Sequence, residues 1–173
     1  TITDTSDNAE SIDYGVVINE INYNSSSDLN TGDWVELYNP TNETIELSLW
    51  KFEDENNDFI FPENTLLLSG DYLVLCQNLD EFSELLPIVL NVIGSFEFGL
   101  NGGGEQIRLF DSDELLVDEV EYDDITPWPI EADGTGPTLE LKNSSLDNSS
   151  GENWAASTLI GGTPGAINST IDE

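Results

Sequence analysis

Two short runs, VVINEINYN at 16–24 and DWVELYN at 33–39, each set one glutamate among β-branched and aromatic residues and end on asparagine. If the runs pair as neighbouring strands, Glu20 and Glu36 can face each other. Paired carboxylates can do acid–base work or, with loop oxygens, hold a hard cation such as Ca²⁺. The connecting loop offers Asp28, Asn30 and Asp33 in the form D-x-N-x-G-D. The candidate metal set is therefore Glu20, Asp28, Asn30, Asp33 and Glu36. It lacks the full D-x-D-x-D-G frame with a glutamate at the required spacing. A third reading is favoured: both glutamates accept hydrogen bonds from turn N–H groups and fasten the fold.

Other chemistry has weaker support. Asp54, Glu55 and Asp58 read as a solvated loop, and Asp111, Asp113 and Glu114 as hairpin-turn residues. LNGGGE has no following Lys-Ser/Thr and no βαβ context, so it reads as a turn needing positive φ rather than a phosphate loop. The chain has no histidine, and Lys51 and Lys142 lie in no Ser-x-x-Lys arrangement, which leaves a serine nucleophile without a base. A two-carboxylate glycosidase stays formally open, but acids are too abundant here to signal one. Trp34, Trp50, Trp128 and Trp154 read as core packing ahead of a carbohydrate-stacking surface.

Charge narrows the partners. The 173 residues carry 36 Asp and Glu against 3 Lys and Arg, a net −33. Nucleic acid needs many cations to neutralise its phosphates, and an anionic membrane repels such a surface. The acids suit a saline medium that screens self-repulsion, or Ca²⁺. Four Trp, five Tyr and seven Phe supply a core that a disordered acidic tail lacks. Cys76, the single cysteine, excludes an intramolecular disulfide and reads as a buried thiol. No apolar stretch is long enough to span a membrane.

The elements that must position these residues are short strands. DWVELYN alternates Trp34, Glu36, Tyr38 against Val35, Leu37, Asn39 before Pro40 stops it. VVINEINY has no purely apolar parity class. IELSLW puts Ile45, Leu47 and Leu49 on one face. LLLSGDYLVLC reads as strand, turn, strand, and QIRLF with LLVDEVEY as a hairpin. DEFSELLP is the one helix candidate, near 80–86, with Asp80 as its cap and Phe82, Leu85 and Leu86 sharing a face. Short strands with little helix predict an all-β sandwich. Residues 1–13 read as a polar linker within something longer, with the domain over 14–168 and a second linker at 169–173.

The ordered segments INEIN, DWVELYNP, IELSLW, LLLSGDYLVL, LNGGGEQIRLFD, VDEVEY, ADGTGPTLEL, NWAAS and GGTPGAIN resemble the lamin-tail domain, from about Gly15 to Asn168. In particular they look like its bacterial, secreted and cell-surface versions. The resemblance implies an immunoglobulin-like β-sandwich acting as a non-catalytic interaction or spacer module of a larger extracellular or cell-surface protein. Its partners would be the parent's other domains and a protein or carbohydrate ligand, with no nucleic acid and no membrane insertion. Ca²⁺-dependent structure is the alternative, and an accessory role beside a hydrolase or nuclease a further one. The family usually has glycine where this chain has Leu49. That departure bears on the turn after the third strand, because leucine disfavours positive φ.

Overall fold

The computed structural model describes residues 14–171; the linker expected at 1–13 and the last two residues lie outside these. Among the described residues the strands are β1 (Val17–Asn22), β2 (Trp34–Tyr38), β3 (Ile45–Glu46), β4 (Lys51–Glu53), β5 (Asp58–Ile60) and β6 (Leu66–Leu67). They continue with β7 (Tyr72–Cys76), β8 (Val92–Gly94), β9 (Glu105–Phe110), β10 (Leu116–Tyr122), β11 (Leu139–Leu141) and β12 (Trp154–Ala156). One helix, α1 (Leu79–Leu85), lies between β7 and β8.

A six-stranded sheet in the order β12-β11-β1-β2-β7-β8 faces a four-stranded sheet in the order β10-β9-β4-β5, while β3 and β6 form a separate ribbon. All pairings are antiparallel except β7 with β8. The core lies between the two large sheets. Val35, Leu37, Leu73, Leu75, Leu139 and Leu141 enter it from one side and Phe52, Ile107, Leu109 and Val120 from the other. This is the all-β sandwich that the strand pattern predicts.

The mixed parity of β1 has a local cause. The register with β2 shifts between Ile18 and Glu20, so a bulge lets Ile18 and Ile21, three apart, both enter the core. The backbone N–H of Ile18 donates to Asp118 Oδ2 of β10 at 2.7 Å, a tie between the sheets. Burial pushes the Asp118 carboxyl up to about 6.

The outer face of the six-stranded sheet is covered as well. At one end Trp34, Val74 and Cys76 pack under Phe82 and Val89, so Cys76 is buried as its apolar run predicts. The helix starts one residue before the expected span. Asn78, not Asp80, caps it by accepting the N–H groups of Asp80 and Glu81. Phe82 is buried and Leu85 exposed, because the stripe that packs on the sheet runs through Leu79, Phe82 and Leu86 and leaves Leu85 at its edge. Leu49 also departs from its expected face. The strand stops at Glu46, and the chain turns through Leu49 at φ +62°, leaving that side chain 53% exposed while Ile45 and Leu47 stay in the core.

Candidate functional site

The pairing of β1 with β2 and with β11 sets Glu20 opposite both Glu36 and Glu140. The three carboxyls form a row across adjacent strands on the outer face, and all three residues are fully buried. Residues 157–170 cross over them as a strap. A glycine lets the strap come so close. Gly162 adopts φ +70°, and a Cβ there would overlap Glu20 Oε1 and Thr138 Oγ1.

The strap and its neighbours saturate the row. Glu20 Oε1 accepts the Thr138 hydroxyl at 2.5 Å and the Thr163 N–H at 3.0 Å. Glu36 accepts the Asn19 amide at 2.9 Å and the Gly165 N–H at 2.6 Å. Glu140 accepts the hydroxyls of Thr163, Ser169 and Thr170 and the Thr170 N–H, at 2.8 to 3.0 Å. Asn168 completes the seam by donating to the backbone carbonyls of Asn19 and Leu141. Ser169 and Thr170, read from sequence as the start of a linker, thus belong to this network.

Burial raises the Glu20 carboxyl well above its usual range, and the adjacent Glu36 adds to the effect. Burial likewise pushes Glu36 up to about 8, against the Gly165 and Asn19 donors that favour its charged form. Both shifts favour the neutral carboxyl, which lowers the cost of setting three acidic groups side by side in a buried row. The row is built to hold the strap. That is the fastening role the sequence favours for Glu20 and Glu36, extended to a third glutamate.

The remaining members of the five-residue metal set go elsewhere. Asp28 and Asn30 are exposed, and Asn30 Oδ1 accepts the Gly32 N–H. Asp33 Oδ2 accepts the Leu100 N–H at 2.8 Å, and burial raises its carboxyl to about 6. Among the described residues no group of three or more His, Cys, Asp or Glu is arranged to hold a metal ion. The asparagines at the ends of β1 and DWVELYN are fasteners too. Asn22 donates to Ser25, Thr31 and the Gly32 carbonyl. Asn39 donates to the carbonyls of Glu43, Leu67 and Leu68.

The other acidic candidates serve turns. Asp54 is buried, not solvated as its loop suggests, and its Oδ1 accepts the N–H groups of Asn56 and Asn57. Asp111 accepts those of Asp113 and Leu115. All four tryptophans are buried, so none offers a stacking surface for sugar. In the LNGGGE turn, Gly104 sits at φ +93° against the Tyr122 carbonyl, a backbone reason for glycine.

Sequence patterns gave no warning of the apolar surface beside the row. Leu66, Leu68, Tyr72, Ile88, Leu90 and Gly165 line an open groove of about 570 Å³. Tyr72 also borders a second hollow of about 400 Å³ that includes Tyr38, Ile167 and Ile171. Tyr38 and Tyr72 stack at 4.6 Å between ring centres. Ile88 and Leu90 are 87% and 89% exposed. Among the described residues no helix is long and apolar enough to cross a membrane.

Comparison with known proteins agrees with this architecture. Residues 11–124 match the family model described as Lamin Tail Domain. No curated protein matches the chain.

Proposed function

The chain belongs to the lamin tail domain family, an immunoglobulin-like fold, and on that premise we propose that it is a non-catalytic interaction module of a larger secreted or cell-surface protein of bacterial type. The family is one of interaction domains. The observation that carries the reading is the division of labour on the outer sheet face. The carboxyls best placed for chemistry, Glu20, Glu36 and Glu140, are sealed under the strap, whereas the accessible groove beside them is walled by Leu66, Leu68, Ile88 and Leu90, with Asp71 and Asn91 also in its lining. Exposed contiguous apolar surface on a globular fold marks contact with another molecule.

The net charge of −33 supports an external, saline setting, since ions there screen the repulsion between surface carboxylates. It also argues for partners other than nucleic acid. Antibodies against the chain, applied to intact producing cells with and without surface proteolysis, test the placement. Protease-sensitive labelling of intact cells is expected, and labelling only after lysis would overturn it. Incubation with chromogenic glycoside and phosphodiester substrates tests the non-catalytic reading: turnover that co-purifies with the chain would end it.

A further inference from the structure

We propose that the groove between the β3–β6 ribbon and the loop before β8 docks a cationic, amphipathic segment of a protein partner. This deepens the interaction-module reading and rests on it. The walls are aliphatic: Leu66 and Leu68 on one side, Ile88 and Leu90 on the other, with Tyr72 and the strap at Gly165 between them. Ile88 and Leu90 project from the loop with nearly all their surface open. Isolated exposed leucines are ordinary, but four aliphatic side chains around one groove form a patch that gains by being covered.

Charge selects the occupant. Glu46 stands directly opposite Leu66 in the ribbon register and is exposed, and Asp71 lines the groove. No lysine or arginine lines it. The chain's three cations are engaged elsewhere: Lys51 and Arg108 pair with Glu53, and Lys142 Nζ donates to the Glu152 carbonyl at 2.8 Å. A second copy would bring another net −33 against the same acidic rim. A segment alternating apolar and basic residues satisfies both features, its apolar side chains filling the groove and its cations meeting Glu46 and Asp71.

The test uses two synthetic peptides, one alternating lysine with leucine and one alternating lysine with serine, titrated calorimetrically into the chain. The lysine–leucine peptide is expected to bind about tenfold tighter or better, some 1.4 kcal/mol. The double substitution I88S/L90S should abolish that preference and leave lysine–serine binding unchanged. Both side chains are nearly fully exposed, so an unaltered thermal midpoint is expected to accompany the loss. A preference that survives in I88S/L90S would overturn the proposal. So would concentration-dependent dimerisation of the chain that I88S/L90S removes, which would seat a second copy in the groove. Either failure leaves the interaction-module reading standing. Substrate turnover removes that reading without altering the peptide result.

Discussion

Glu20 and Glu140 share one hydroxyl: Thr163 Oγ1 lies 3.2 Å from Glu20 Oε2 and 3.0 Å from Glu140 Oε1. A hydroxyl has one proton to give. It can donate to one carboxyl, and the other contact is a hydrogen bond only if that carboxyl donates in return. Burial favours the neutral form of Glu20, and in that form Glu20 can be the donor. With Glu20 neutral, its proton points to Thr163 and the Thr163 proton to Glu140.

Removing that hydroxyl breaks two bonds inside a buried network. Thr163→Val keeps the shape and should destabilise the chain by about 1–3 kcal/mol, read from the urea unfolding midpoint. Thr163→Ser retains the hydroxyl and should lose much less. Equal losses in the two variants would assign the effect to packing of the threonine methyl and not to the bridge.

Acidity should stabilise this protein between weakly acid and weakly alkaline pH. Glu36 has an ordinary value of 4.5 and is raised to about 8 in the fold. Across that interval the folded state binds a proton that the unfolded state has lost, so stability falls as pH rises. Its contribution is full below pH 4.5 and gone above about 8. Within the interval, the stability that Glu36 contributes falls by about 1.4 kcal/mol for each pH unit climbed. Asp33 and Asp118, each raised to about 6, act in the same direction over a narrower range. Surface repulsion has the same sign, so the urea series belongs in high NaCl, which screens exposed charges far more than buried ones. Glu36→Gln cannot titrate and should flatten the slope. A slope unchanged by that substitution would exclude Glu36 as its source.

Much of the fold was legible because its short strands carry turn residues between them, and the two opening runs do pair as neighbours. Glu140 was less legible. LEL repeats the apolar–Glu–apolar pattern around Glu36, which is a usable signal, yet IEL at 45–47 shows its weakness, and Glu20, preceded by Asn19, lies outside the pattern altogether. Glu46 lies in the two-stranded ribbon and is exposed, whereas Glu140 lies beside the central β1 and is sealed by the strap. Local sequence does not encode which strand becomes central or what covers it. The bulge at β1 hid similarly, since period-two reading assumes an unbroken strand. The apolar groove joins residues from the β3–β6 ribbon, the loop before β8 and the strap, and no single window contains it.

Calcium should act on this chain as a general screening ion. The metal candidates Asp28, Asn30 and Asp33 diverge from Glu20 and Glu36, whose oxygens already accept protein donors. The thermal midpoint should rise with NaCl, and millimolar Ca²⁺ should add nothing beyond Mg²⁺ once NaCl is high. A specific site would instead raise the midpoint with ligand concentration as mass action requires. A Ca²⁺-selective rise that chelator reverses would restore the metal reading.

Leu49 holds a left-handed turn conformation, φ +62°, without the glycine that this position favours. A Cβ in that region costs about 1–2 kcal/mol. Glycine removes the clash but loses about 0.5–1 kcal/mol by gaining freedom in the unfolded chain. The leucine side chain is 53% exposed, so truncation forfeits only part of a buried contact. The balance favours Leu49→Gly by about 0.5 kcal/mol, a small rise of the unfolding midpoint. Leu49→Ala makes the comparison decisive. It loses the same side-chain contacts while keeping the strained Cβ, so it should fall below the parent as Leu49→Gly rises above it. Were both variants to fall, the side-chain contacts of Leu49 would outweigh the strain in its backbone.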